Sequence, residues 1–206
     1  PLSMQADKPT MISSICAETG DMVMALRTAR AAVSLSTGGP SELEIKPLNN
    51  LGRLLLRSQQ PEDALPYLAE AARRADPLPQ VELRAHCHFD VAAAQAELGR
   101  TEEARMGYSL ATSLYEEARR FSDAAVSKEG EARLTFRPAL ARSAWVAAVS
   151  YWRREGNTPR LAAALVNLSA RDAAQGLTAD AESSLAEASR CDLGRHPELA
   201  YEIAVR

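Results

Sequence analysis

Aromatic residues make up only 5% of this 206-residue chain, although 46% of it is hydrophobic. Alanine and leucine therefore carry the apolar load, which suits closely packed helices. Strand alternation, Asn-Gly hairpins and β-branched runs are missing, which argues against a sheet. No apolar run approaches the ~20 residues that a membrane helix needs, and no N-terminal signal pattern is visible. The formal net charge is -3, and nucleic-acid binders usually carry a basic excess. The three cysteines, Cys16, Cys87 and Cys191, are odd in number and widely spaced. They form no disulfide framework and suit unpaired thiols in a reducing cytoplasm.

Chemical motifs are equally scarce. There is no G-x-S-x-G elbow, no G-x4-G-K-[ST] phosphate loop and no G-x-G-x-x-G. His86-Cys87-His88 suggests a metal, but residues i and i+2 point roughly opposite ways on a helix, and no CxxC or HxxxH exists. Carboxylate pairs such as Glu102–Glu103 and Glu116–Glu117 fall at helix starts or on exposed faces. Arg73-Arg74, Arg119-Arg120 and Arg153-Arg154 each close a helix, where positive charge offsets the carbonyl end of the dipole. These patterns predict an all-α, non-catalytic, cytoplasmic chain without cofactor or metal, touching neither membrane nor nucleic acid directly.

What is present is a periodic helix pair at 47–77, PLNNLGRLLLRSQQPEDALPYLAEAARRADP. Leu48, Leu51, Gly52 and Leu55 fall at i, i+3, i+4 and i+7; Ala64, Leu68 and Ala71 repeat that face on a second helix. Small residues alternate with large ones, so the two helices can approach closely and interlock. The pattern Leu48-x2-Leu51-Gly52-x2-Leu55, then Ala64-x3-Leu68, then Pro77 resembles the tetratricopeptide repeat, with leucine at the aromatic positions. LNNLG and the proline in EDALPYL look most like the longer, kinesin-light-chain-like variety.

Along the rest of the chain, residues 1–9 read as an irregular linker remnant, and 10–206 as one helical repeat domain cut from a longer protein. Helices are predicted at 10–18, 22–36, 41–58, 62–75, 80–98 and 101–120, with Asp21 and Thr101 as N-caps. Ala104 then stands 40 residues after Ala64. Between 121 and 155 two registers compete. One places helices at 122–136 and from 137, with Ala144 as the third recurrence of that alanine. The other reads Trp145-x2-Ala148-Val149-x2-Trp152 as a first-helix signature. A last pair, 160–175 and 178–190, is capped by Thr158, and 197–206 looks like a further or capping helix. About five helix pairs result.

The resemblance implies a tetratricopeptide-like α-α superhelix, a solenoid whose first helices line a concave groove. It also implies that groove residues come from fixed repeat positions. With Ile45 as the first position, these are Lys46, Asn49, Asn50, Arg53 and Arg57 beside Leu56. The next repeat offers His86, Phe89 and Asp90; the later ones offer Arg133, Arg137 and Asn167. Asn50 can donate to and accept from an extended backbone, and Arg53 and Arg57, at i and i+4, can face one carboxylate. The expected ligand is a protein or extended peptide, acidic or ending in a free carboxylate. The expected role is a binding scaffold; the alternative is the regulatory sensor domain of a bacterial transcription factor or signalling protein. The alanine- and arginine-rich composition points to a bacterial source. Self-association through terminal helices is a further expectation.

Overall fold

The structure, a computed structural model, describes residues 2–191 and Ile203. Ten helices fill the described residues: α1 (Leu2–Glu18), α2 (Met22–Ser36), α3 (Ser41–Arg57), α4 (Pro61–Ala75), α5 (Val81–Glu97), α6 (Thr101–Glu117), α7 (Phe121–Leu134), α8 (Pro138–Glu155), α9 (Thr158–Ala174) and α10 (Thr178–Ala188). They form five successive pairs. Two compact units divide the chain at Pro1–Gly107 and Tyr108–Arg206.

One local device recurs in every pair. Three residues join the two helices, at 19–21, 58–60, 98–100, 135–137 and 175–177. In four of these turns the middle residue is left-handed: Gly20, Gln59, Gly99 and Gly176. The fourth residue of each second helix is an alanine whose N–H donates to the carbonyl of the residue before the helix. The bonds are Ala25 to Asp21, Ala64 to Gln60, Ala104 to Arg100, Ala141 to Arg137 and Ala181 to Leu177, all at 2.9–3.0 Å. Four residues on from these alanines stand Ala29, Leu68, Tyr108, Trp145 and Leu185. In four of the five pairs a methyl group is followed by a larger side chain one turn later, and in the first pair by a second alanine, Ala29.

Unit 1 packs by leucine against alanine. Leu51, Leu54 and Leu55 of α3 and Leu68 of α4 close over Ala17, Ala25, Ala29 and Ala64. Each leucine buried in this way contributes about 2 kcal/mol. Gly52 is required there, because a Cβ on it would lie 2.5 Å from the Leu68 side chain. A second cluster joins Ile45 and Leu48 to Ala71, Ala72, Ala75 and Cys87. At the start of α3, Glu44 accepts from the Gly38 N–H at 3.2 Å and pairs with Arg74 of α4 at 3.0 Å.

Unit 2 packs around tryptophan and buried ions. Trp145, Trp152, Leu165 and Val166 form its core with Ala125, Ala148 and Ala162. The Trp152 indole N–H donates to Glu129 at 2.7 Å, and Arg133 reaches the other oxygen of that buried carboxylate at 3.2 Å. Arg142 of α8 donates to the fully buried Asp172 of α9 at 2.6 Å and to Asp180 of α10 at 2.9 Å, tying three helices together.

Several sequence expectations change. Residues 2–9, expected to be irregular, form the first turns of α1, which carries Pro9 inside it. Pro47 and Pro66 likewise sit inside α3 and α4. A helical proline forfeits one hydrogen bond and bends the helix without having to end it. Between 121 and 155 the roles of first and second helix follow the first register, but the recurring alanine is Ala141 and not Ala144. The reason is length: α7 has 14 residues where α1, α3, α5 and α9 have 17. Trp145 therefore belongs to a second helix, at the bulky position after Ala141. Lys128 and Glu131, charged where the pattern wants apolar residues, pair with each other at 2.7 Å. Asp21 caps α2 by accepting from the Met24 N–H, as expected. Thr101 and Thr158 lie inside their helices; Asn157 caps α9. The helix expected at 197–206 lies outside the described residues apart from Ile203.

Candidate functional site

Within unit 1, α3 touches α1 on one side and α5 on the other. Its polar residues reach both ways. Asn50 donates from its amide to the Ser13 hydroxyl of α1 at 2.6 Å, and Asn49 donates to Asp90 of α5 at 2.7 Å. Arg57 donates to the Ala17 carbonyl at 3.2 Å, satisfying an acceptor in the last turn of α1. Arg53 stands 3.9 Å from Asp90 with 65% of its side chain exposed. Between α1 and α3 lies a depression of about 200 Å³ lined by Ser14, Ala17, Glu18, Asn50, Arg53 and Arg57, with Leu54 at its base.

Asp90 is a strut beneath this surface. It is buried, and burial pushes its carboxyl above the ordinary 3.8 against the pull of Arg53, the Asn49 hydrogen bond and His86. His86 faces Glu82 at 3.7 Å, while His88 bonds Asp76 at 2.8 Å. The two imidazoles thus engage different partners, and buried Cys87 between them has its thiol pushed up to about 12, chiefly by burial. This thiol stays protonated at neutral pH and packs as an apolar group.

The remaining candidates lie elsewhere. Lys46 is exposed and lines a separate depression of about 330 Å³ with Leu78 and Leu83. Phe89 is half-buried on α5. In unit 2, Arg133 lies 5.7 Å from the centre of the Trp145 ring besides pairing with Glu129. Arg137 is exposed at the residue preceding α8, and the exposed Asn167 donates to the Ala163 carbonyl of its own helix. The structure thus gathers Asn49, Asn50, Arg53, Arg57, His86 and Asp90 in one unit and leaves Arg133, Arg137 and Asn167 in the other. Ser13, Ser14 and Glu18 join this surface from α1, which lacks the repeat's leucine pattern; their spacing from the Thr19-Gly20-Asp21 turn is the sequence signal for them.

Residues 43–122 match the tetratricopeptide repeat family. This stretch is a tetratricopeptide array. Solved structures extend the likeness of fold to most of the chain. BtubC (BKLC) from P. vanneervenii is 17% identical, with a TM-score of 0.79 over 92% of this chain and 80% of its own. A putative kinesin light chain from Podosopora anserina, with nearly identical TPR-like repeats, is 15% identical, with a TM-score of 0.77 over 91% and 94%. The apo form of RapI is 14% identical, with a TM-score of 0.80 over 90% and 69%. No curated protein matches the chain significantly. Among the described residues of the repeats and their flanks, no helix is long and apolar enough to cross a membrane.

Proposed function

We propose that the chain is a non-catalytic protein-binding scaffold whose recognition surface in unit 1 is the first-helix face of α1, α3 and α5. The ligand is an extended acidic segment of a partner protein. The observation that carries this reading is Arg53, an exposed cation beside a polar depression whose other walls are Ser14, Asn50 and Arg57. A guanidinium has five donors in a fixed fork. Arg57 therefore keeps donors for a ligand carboxylate while one holds the Ala17 carbonyl. Asn50 keeps its amide oxygen as an acceptor for a peptide N–H, and Asn49 with Asp90 fixes the helix spacing beneath. Glu18 at the rim disfavours a second negative charge there, so the ligand would present one carboxylate at a time. His86 acts on Asp90 beneath this surface, Lys46 and Phe89 lie on α3 and α5 outside the depression, and Arg133, Arg137 and Asn167 are the corresponding points of unit 2.

The test is fluorescence anisotropy with labelled Asp/Glu-rich 12-residue peptides, free or amidated at the C-terminus, against Lys-rich ones of equal length. Acidic peptides should bind, and Arg53→Ala/Arg57→Ala should weaken them by about tenfold or more, the scale of one charged hydrogen bond. Equal binding of acidic and basic peptides, or unchanged affinity in the double variant, would remove the site from this face.

A further inference from the structure

The exposed side chains described on α3 are Glu42, Lys46, Arg53 and Arg57. Steps of four, seven and four residues keep them on one line along a helix of 3.6 residues per turn. The polar depression lies at the Arg53–Arg57 end of that line. At its other end lies the cleft of about 330 Å³. Its walls are Leu43 and Lys46 of α3, Leu78 of the following joint and Leu83 of α5, with Glu42 and Gln80 beside them.

This cleft is built in advance. Leu78 and Leu83 pack against the cluster of Ile45, Leu48 and Ala71, so its floor is core. Leu78 stands between Pro77 and Pro79, whose rings fix the backbone on both sides. Its N–H donates to the Ala75 carbonyl at 2.9 Å. The joint 76–80 that carries it is the longest connection between pairs. All the walls belong to described residues of unit 1, and among these Leu43, Leu78 and Leu83 stay half-buried. The cleft therefore offers an apolar surface of fixed shape beside a line of cations.

We propose, resting on the reading of α3 as the recognition surface, that the ligand pairs its acidic residue with one aliphatic side chain. The carboxylate meets Arg53 and Arg57; the aliphatic group enters the cleft, three or four residues away along the ligand. From Leu43 and Lys46 to Arg53 the helix advances ten and seven residues, about 15 and 10 Å. An extended segment covers about 3.3 Å per residue, which sets the spacing. Asn50 lies between the two ends, where its amide oxygen accepts a ligand N–H. Lys46 favours a further carboxylate within that span, and Glu42 repels one placed beyond the aliphatic residue. The ligand class narrows from any acidic segment to one with an acid and an aliphatic residue in fixed register.

Fluorescence anisotropy with labelled 12-residue Gly/Ser peptides tests it. Each carries one Glu-Glu pair, and a single Leu stands one to five residues to either side or is left out. Leu at three or four residues on one side should tighten binding about tenfold over the Leu-free peptide. Every other spacing should gain less than about twofold. Leu78→Ser should abolish the gain and keep the wild-type affinity for the Leu-free peptide, which also shows that the variant is folded. An equal gain at all spacings, no gain at any, or a gain that survives Leu78→Ser would overturn the register and leave acidic recognition standing. Failure of every acidic peptide to bind would remove that recognition, and this proposal with it.

Discussion

The two units build the same helix pairs, joined by three residues, with different chemistry. In unit 1, alanine faces leucine and Gly52 admits Leu68; the polar groups of Asn49, Asn50 and Arg57 link neighbouring first helices. In unit 2, Trp145 and Trp152 take the bulky positions, and charged groups go inside: Glu129 with Trp152 and Arg133, Asp172 with Arg142. What they share is smaller than a core. It is a three-residue turn and an alanine N–H bonded to the carbonyl before the helix. That bond is the one any α-helix makes in its first turn, so what the pairs have in common is the turn length and the small residue at that position, and the other side chains fill the volume these leave. Unit 1 does so mainly by fit, with Glu44 and Asp90 as its buried charges, and unit 2 places its paired charges among its tryptophans.

If so, the two units should fail differently. Removing Arg142 strands Asp172, whose side chain is 1% exposed, in the core. Arg142→Met should cost about 3 kcal/mol in urea unfolding, because a buried charge left without its partner costs more than the intact pair contributes. Amide exchange should accelerate in α8–α10 and stay unchanged in α1–α4. In unit 1 the sensitive point is steric. Gly52→Ala places a methyl against Leu68 and should cost about 2 kcal/mol. Should Gly52→Ala prove the costlier of the two, the division into fit and charge is wrong.

Unit 1 buries carboxylates too, Glu44 paired with Arg74 and Asp90 near Arg53, and Asp90 sharpens the contrast. Its raised pKa means that the folded chain holds this proton more tightly than the unfolded one does. Its favourable contribution is complete below the ordinary aspartate value of 3.8 and is lost as pH rises through the raised value. Asp90→Asn should therefore stabilise the protein at neutral pH by about 1 kcal/mol, and the gain should vanish on acidification to below pH 3.8. A gain that persists in acid would point to packing. The smallest effect should be alike in both units. Gln59 (φ 58°) and Arg119 (φ 56°) hold left-handed turns without glycine's freedom. Gln59→Gly and Arg119→Gly should each raise stability by about 0.5 kcal/mol in thermal melts.

Much of this architecture was legible from residue spacing. The helix at Met22–Ser36, the Ala64–Leu68 pair and its recurrence at Ala104 and Ala181 all follow from periodicity and turn residues. Two things were not. The short α7 displaces the alanine by three residues, and Lys128 and Glu131 hide its apolar face by pairing with each other. The first turns of α1 were masked by Pro9, which reads as a break although the helix passes through it. At the candidate site the residues of α3 were legible as groove positions, but their engagements were not. Whether Asn50 faces a ligand or Ser13 depends on a neighbouring helix, and no spacing within α3 encodes that.

The connections carry one more consequence. Within pairs they are always three residues long; between pairs they span 37–40, 76–80, 118–120 and 156–157. A hinge of fixed length and a joint of variable length give the molecule a reading frame. Whole hairpins can be duplicated, deleted or exchanged at the joints without disturbing the packing within a hairpin. A single residue added at a hinge would shift the alanine contact and dislodge every larger side chain behind it. The chain's evolutionary currency, and the natural unit for lengthening it by design, is thus the hairpin.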